Sequence, residues 1–337
     1  MKNQCRHNPS TDRVRSTGNC VAQRTARPWK SVLTLSLMFG MFVVSTGPQS
    51  HAQEYSVRNV DVTGAATTGA FSNNNEGQIV GMYSLGPCCL GAKGFLLTQG
   101  TFTTIAYPGA TITGADASNK HQEVVGGYLD RTGTLHGFTF KNGVYKPLNY
   151  PHSESTAAGD INDSGTIVGE YSDGARYHGF TFQGNTFKTA DFPGSVGSTV
   201  YSVNNSGQMV GVYSLTDPFL NSSLHGYLFD GTNYTTIDYP GAADTTASGI
   251  NSSGQIVGYY TDSSSVTHGF TLINGQYATL DYPGAAGTYL YQINDHGQMV
   301  GEYWSQESTL DLRGFLVTPV SQGSGVFRRV APGRKIF

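Results

Sequence analysis

The chain has 337 residues, with 44 Gly and 13 Pro but only 13% charged side chains, about half the charged fraction of an ordinary soluble domain. It has no Gly-X-Y period, no long Ala/Glu/Leu/Lys run, and Gly plus Pro below the roughly 25–30% of low-complexity chains, which excludes collagen, coiled coils and disorder. The net charge is −3, yet residues 53–318 hold nine Lys and Arg against 22 Asp and Glu; such an acidic body repels phosphate backbones and excludes nucleic acid as a partner.

Residues 1–30 carry seven bases from Lys2 to Lys30, and residues 32–44 form an apolar run of 13. That suits a signal-peptide core and is shorter than the roughly 20 residues of a membrane span. Ser50-His51-Ala52 sets small residues three and one before a cut, so residues 1–52 are read as an export signal. The mature chain is then extracellular or periplasmic, with no membrane span. Cys5 and Cys20 leave with the signal, and Cys88 and Cys89 remain, adjacent in sequence. Their Cα atoms, about 3.8 Å apart, lie closer than the ~4.4 Å lower limit of ordinary disulfides. Without clustered His or Cys partners they make no zinc site.

The mature chain repeats. NNEGQIVGMYS at Asn74 returns with changes at Asn119, Asn162, Asn204, Asn251 and Asn294; each copy is followed by KGF, HGF, HGY or RGF, with the Gly at 94, 137, 179, 226, 269 and 314. Spacings of 42 to 47 residues indicate a propeller or solenoid. Each unit reads as four short strands: a, ending at the Asn; b, of QIVGYY type; c, of HGFTL type; and d, of YATLDY type. The Asn-x-x-Gly link suits a tight turn with Gly in the left-handed region, and Asn142-Gly143 or Asn274-Gly275 between c and d is a strong hairpin signal. The sixth unit stops after strand c, whereas residues 57–74 match residues 235–251 and open the mature chain with a lone strand d. Those complementary ends predict an all-β, six-bladed β-propeller over residues 53–318, four antiparallel strands per blade, closed by the N-terminal strand completing the last blade. The basic stretch 319–337 matches no repeat strand and is read as a flexible tail.

The Asn-x-x-Gly-x-Ile-Val-Gly-x-Tyr, His-Gly-Phe and Asp-Tyr-Pro-Gly-Ala landmarks resemble the HAF family of bacterial extracellular repeat proteins over essentially all of residues 54–318, with His-Gly-Phe where the family name implies His-Ala-Phe. The resemblance implies secretion and a repeat fold; it brings no activity with it.

Residues present in every blade are expected to build blades. His178 with Asp191, His225 with Asp238 and His268 with Asp281 are each 13 apart, as expected of cross-strand pairs that fix hairpin register; Arg313 takes this position in blade six, with Asp61 as its partner. The strand-b tyrosines, Tyr83, Tyr128, Tyr171, Tyr213, Tyr260 and Tyr303, are expected between blades, with hydroxyls reaching an edge. No catalytic residue, cofactor or metal ligand is assigned; a structural calcium is the one ion considered, although no loop has the twelve-residue pattern with a terminal bidentate Glu.

Function is then expected where blades differ. The b–c connections are long in blades one, four and six, and the position three before the recurring Asn is aromatic in the same blades: Phe71, Tyr201 and Tyr291, against Asp116, Gly159 and Ser248 elsewhere. These aromatics either fill space under the longer loops or, with Trp304, present flat contact area on the b–c face, where Asp217, Glu307 and Asp311 supply acceptors. The preferred reading is a secreted, non-catalytic, monomeric binding module for an extracellular glycan or surface protein. The alternatives are a glycan hydrolase or lyase using Glu307, Asp311, Asp217 or Asp116, which needs paired carboxylates about 5–10 Å apart, and a purely structural surface or matrix protein.

Overall fold

A computed structural model describes residues 54–86, 91–305 and 308–320, with the side chains of 308–311 left aside. The predicted export signal, Cys88, Cys89, Glu307 and most of the basic tail lie outside the described residues. Among those described there is no helix, and the strands form six separate four-stranded antiparallel sheets. The fold is a six-bladed β-propeller.

Each sheet runs a-b-c-d outward from the centre, where the a strands of successive blades touch. In blade one these are Thr67–Asn73, Ile79–Ser84, Lys93–Thr98 and Thr101–Ile105. In blade six, strands a to c are Gly287–Ile293, Met299–Ser305 and Ser308–Pro319, and strand d is Tyr55–Val60 from the other end of the described chain. Six residue pairs close that seam, from Tyr55↔Pro319 to Val60↔Gly314. Arg313 lies 3.9 Å from Asp61. The ring therefore closes as the orphan strand predicts.

The a–b and c–d turns share one end of the ring; the b–c and d–a connections share the other. Both residues of the Asn142-Gly143 and Asn274-Gly275 turns have positive φ, the twist that lets a two-residue loop join strands without splaying them. In the a–b turn the left-handed position is Gly in five blades and Gln122 in the second.

The repeated apolar residues pack blade against blade. Phe95, Phe138, Phe180, Phe270 and Phe315 of strand c are fully buried. The aromatic of five of the six d–a connections lies flat on the strand-b tyrosine of the next blade: Tyr107 on Tyr128, Tyr150 on Tyr171, Phe192 on Tyr213, Tyr239 on Tyr260 and Tyr282 on Tyr303, with centroids 3.6–3.8 Å apart; Val62 takes the place beside Tyr83. The tyrosine hydroxyls reach strand-d threonines, as with Tyr171 and Thr189 at 2.9 Å or Tyr213 and Thr236 at 2.9 Å. The tyrosines are thus inter-blade packing with a polar tip on the sheet edge.

Candidate functional site

The strand-a position that varies between blades is a structural one. In every blade the a–b register slips at this residue, between Ala70 and Ser72, Ala115 and Ala117, Ala158 and Asp160, Val200 and Ser202, Ala247 and Gly249, and Leu290 and Gln292. A bulge leaves one residue unpaired in the ladder and re-aims its side chain. Phe71 and Tyr291 turn into the ring centre, where they are 3% and 2% exposed and meet edge to face at 5.7 Å. Met82, Tyr259 and Tyr289 complete this apolar filling. Tyr291 donates its hydroxyl proton to Glu302, a buried carboxylate of strand b, at 2.6 Å. The expectation that Phe71 and Tyr291 offer contact area is therefore corrected: they fill the space beneath the loops. Tyr201 is half-buried against Tyr177 and Leu220. Trp304, also half-buried, lies over Gly287, where a Cβ would overlap its indole, and packs on Tyr289.

One step closer to the turns, side chains from blades three, four and six meet across the centre. Asp160 accepts from the Ser202 hydroxyl at 2.7 Å, the Val203 amide at 3.0 Å, the Ile161 amide at 2.8 Å and the Gln292 side-chain amide at 3.1 Å. Burial pushes the Asp160 carboxyl up, against the pull of these donors. Gly249 leaves room for Gln292, since a Cβ there would sit 2.5 Å from its Oε1. The turn end of the centre is ringed by the recurring asparagines. Each Nδ2 donates to the carbonyl of the next: Asn74 to Asn119, Asn119 to Asn162, and on through Asn204, Asn251 and Asn294 back to Asn74, at 2.9–3.4 Å. The same side chains accept the amides of their own turns through Oδ1, as Asn204 does from Ser206 and Gln208. A polar cavity of about 70 Å³ lies inside this ring.

The b–c face differs in chemistry. Of six large apolar residues exposed among the described residues, three lie on its b–c connections: Leu85, Leu215 and Phe219. The blade-four connection, residues 215–224, is internally built. Asp217 accepts from the amides of Phe219 and Asn221, each at 2.9 Å, and from Ser222. Burial pushes its carboxyl up, but these donors outweigh burial and hold it below the ordinary carboxylate range. The role expected of Asp217, an acceptor for a ligand, is accordingly corrected to a cap on its own loop. Leu220, fully buried against Tyr177 and Val212, anchors the loop with φ of 56°, a left-handed conformation uncommon for a branched side chain. Pro218 accepts the Tyr177 amide at 2.9 Å. Phe219, 40% exposed, is left at the tip with its edge against Tyr177. The backbone of Asp311 lies in strand c of blade six; its side chain, like Glu307, lies outside the described residues.

The rim of this face carries the recurring pairs. His178 Nδ1 is 2.8 Å from Asp191, His225 Nδ1 2.9 Å from Asp238 and His268 Nδ1 2.7 Å from Asp281. The other ring nitrogen meets a second acid that sequence reasoning missed: Asp173 at 3.3 Å from His178 and Asp262 at 3.7 Å from His268. These acids also cap their b–c turns. The Arg176 and Ala175 amides, with His178, bring Asp173 down to about 2. Each imidazole lies on its strand-b tyrosine, as with His178 and Tyr171 at 4.7 Å. The signal was legible as an Asp five or six residues before His in blades two, three and five. Among the described residues no three His, Cys, Asp or Glu side chains gather as a metal site, and no helix is long and apolar enough to cross a membrane.

No family model and no curated protein matches this chain. Among solved structures, TolB from Acinetobacter baumannii is similar with a TM-score of 0.50 and 10% identity over 73% of this chain and 64% of that one. The fucose-specific lectin from Aleuria aurantia has 0.42 and 11% over 81% and 98%. A Trypanosoma rangeli sialidase has 0.48 and 10% over 75% of this chain and 54% of its own. At these identities the likeness is one of fold alone.

Proposed function

We propose that this chain is an exported, non-catalytic binding module of the HAF-repeat type, whose recognition surface is the b–c face. The observation that supports this is the blade-four connection. Asp217 and Leu220 fix its backbone, and Leu215 and Phe219 are thereby held in water at 54% and 40% exposure. A rigid loop that presents apolar side chains limits the entropy lost on binding, and two large apolar side chains exposed on one connection mark a contact site. The face suits an extracellular glycan or a surface protein. Its His–Asp groups are spent on hairpin register and turn capping, which favours binding over hydrolysis.

The test is retention of residues 53–320, which hold the whole closing seam, on immobilised polysaccharides and on cell envelopes, protease-treated and untreated, with soluble sugar release measured in the same samples. Retention is expected to fall about tenfold or more in the Leu215→Ser/Phe219→Ala variant, with an unchanged melting temperature. Protease treatment separates a protein ligand from a glycan. Equal retention of the variant refutes the proposed surface, and sugar release by the wild type refutes the non-catalytic reading.

A further inference from the structure

The chemistry of the b–c face selects its occupant more narrowly. On the end of the ring that bears Leu215 and Phe219, the described b–c and d–a connections carry nine carboxylates, Asp61 through Asp281, against Arg131 and Arg176, with Lys93 and Arg313 the cations of strand c that border them. Asp217 is satisfied by its own loop, so Leu215 and Phe219 offer apolar surface in a negative field. A complementary segment has an apolar anchor flanked by cations and carries no acid. The chain contains one. Residues 321–337 include Phe327-Arg328-Arg329 and Arg334-Lys335-Ile336-Phe337 and lack Asp and Glu entirely.

We propose that the b–c face docks this chain's own basic segment 321–337, in the same molecule, with Ile336 and Phe337 as the apolar anchor. The reach supports the assignment to these two residues. Val320 donates its amide to the Glu54 carbonyl at 2.8 Å, so the chain leaves blade six at the turn end. A strand of seven residues spans about 23 Å, and the 17 residues that follow span up to about 56 Å when extended. Phe337 can round the blade and lie on the loops, whereas Phe327, seven residues on, is used up by the height of the ring. The inference rests on the proposed recognition surface and makes the segment a competitor of any external ligand there.

A synthetic peptide of residues 324–337 tests this by calorimetric titration. It is expected to bind residues 53–320, whose ring is complete without the segment, in a 1:1 ratio. Binding should be about tenfold weaker to residues 53–337, where the face is occupied, and to the Leu215→Ser/Phe219→Ala variant of 53–320. A peptide carrying Ile336→Ser and Phe337→Ser should lose binding, and 0.5 M salt should weaken the native peptide by screening. No binding to 53–320, or equal binding by the face variant or the serine peptide, overturns the proposal. Concentration-dependent dimers of 53–337 that are absent from 53–320 overturn the same-molecule assignment. Envelope retention of 53–320 that depends on Phe219 while the peptide fails to bind would refute the segment alone and leave the recognition surface standing.

Discussion

Replacing Asn204 by Ala removes four hydrogen bonds at once: from Nδ2 to the Asn251 carbonyl at 2.9 Å and to Gln208 at 2.8 Å, and to Oδ1 from the Ser206 and Gln208 amides at 3.0 Å each. The three that involve backbone groups contribute about 1 kcal/mol each. Ser206 is exposed and water replaces its partner, while the Asn251 carbonyl keeps the Gly254 amide at 3.0 Å. The expected loss is therefore about 3 kcal/mol, or roughly 6–12 °C in melting temperature for a domain of this size. Asn204→Asp separates the two roles of the side chain. It keeps the acceptor for the turn but sets a second oxygen against the Asn251 carbonyl, so it should lose about half as much. Thermal and urea melts followed by near-ultraviolet circular dichroism measure both. If Asn204→Ala costs less than about 0.5 kcal/mol, or if Asn204→Asp melts with the wild type, the linking of neighbouring blades through the asparagines contributes nothing and the reasoning fails.

Deleting residues 53–62 removes strand d of blade six with its six pairs and the Asp61 partner of Arg313; the melting temperature should fall by at least roughly 10 °C, and an unaffected calorimetric trace would count against closure at this seam. Asp173 is held at about 2 by the Arg176 and Ala175 amides and by His178, below the ~3.9 of an unfolded aspartate. Its stabilisation is thus complete above about pH 4 and lost as pH falls through 2. The gap in melting temperature between wild type and Asp173→Asn should close over that window, and a gap that is constant with pH would contradict it. Gly287→Ala drives a methyl group into the Trp304 indole and should cost about 1–3 kcal/mol, with a change in the tryptophan near-ultraviolet band; a wild-type melt would show that the indole is free to move.

Blade number, closure, the histidine pairs and the stacked tyrosines are legible in the sequence because each depends on spacing that recurs every blade. Asp61 and Arg313 could be paired from opposite ends because each replaces a recurring partner. The centre was not legible in the same way. Phe71 and Tyr291 look like display residues because they vary, but a bulge frees its residue from the ladder and so permits that variation. Gln292 reaching Asp160, 132 positions away, obeys no period, since it joins blades on opposite sides of the ring. Asp217 reads as a free acid because its partners are amides, which leave no trace in residue identity.

The asparagine circle also sets a limit on how such a chain can evolve. Every side chain hands its amide onward in the same rotational sense, and the sixth returns to the first. An array of stacked repeats can grow by one unit at its tip; here an added unit would break one handover and a deleted unit two, and either would alter the angle at all the others. Copy number is thereby locked, and divergence is channelled into the connections, where Leu215 and Phe219 lie.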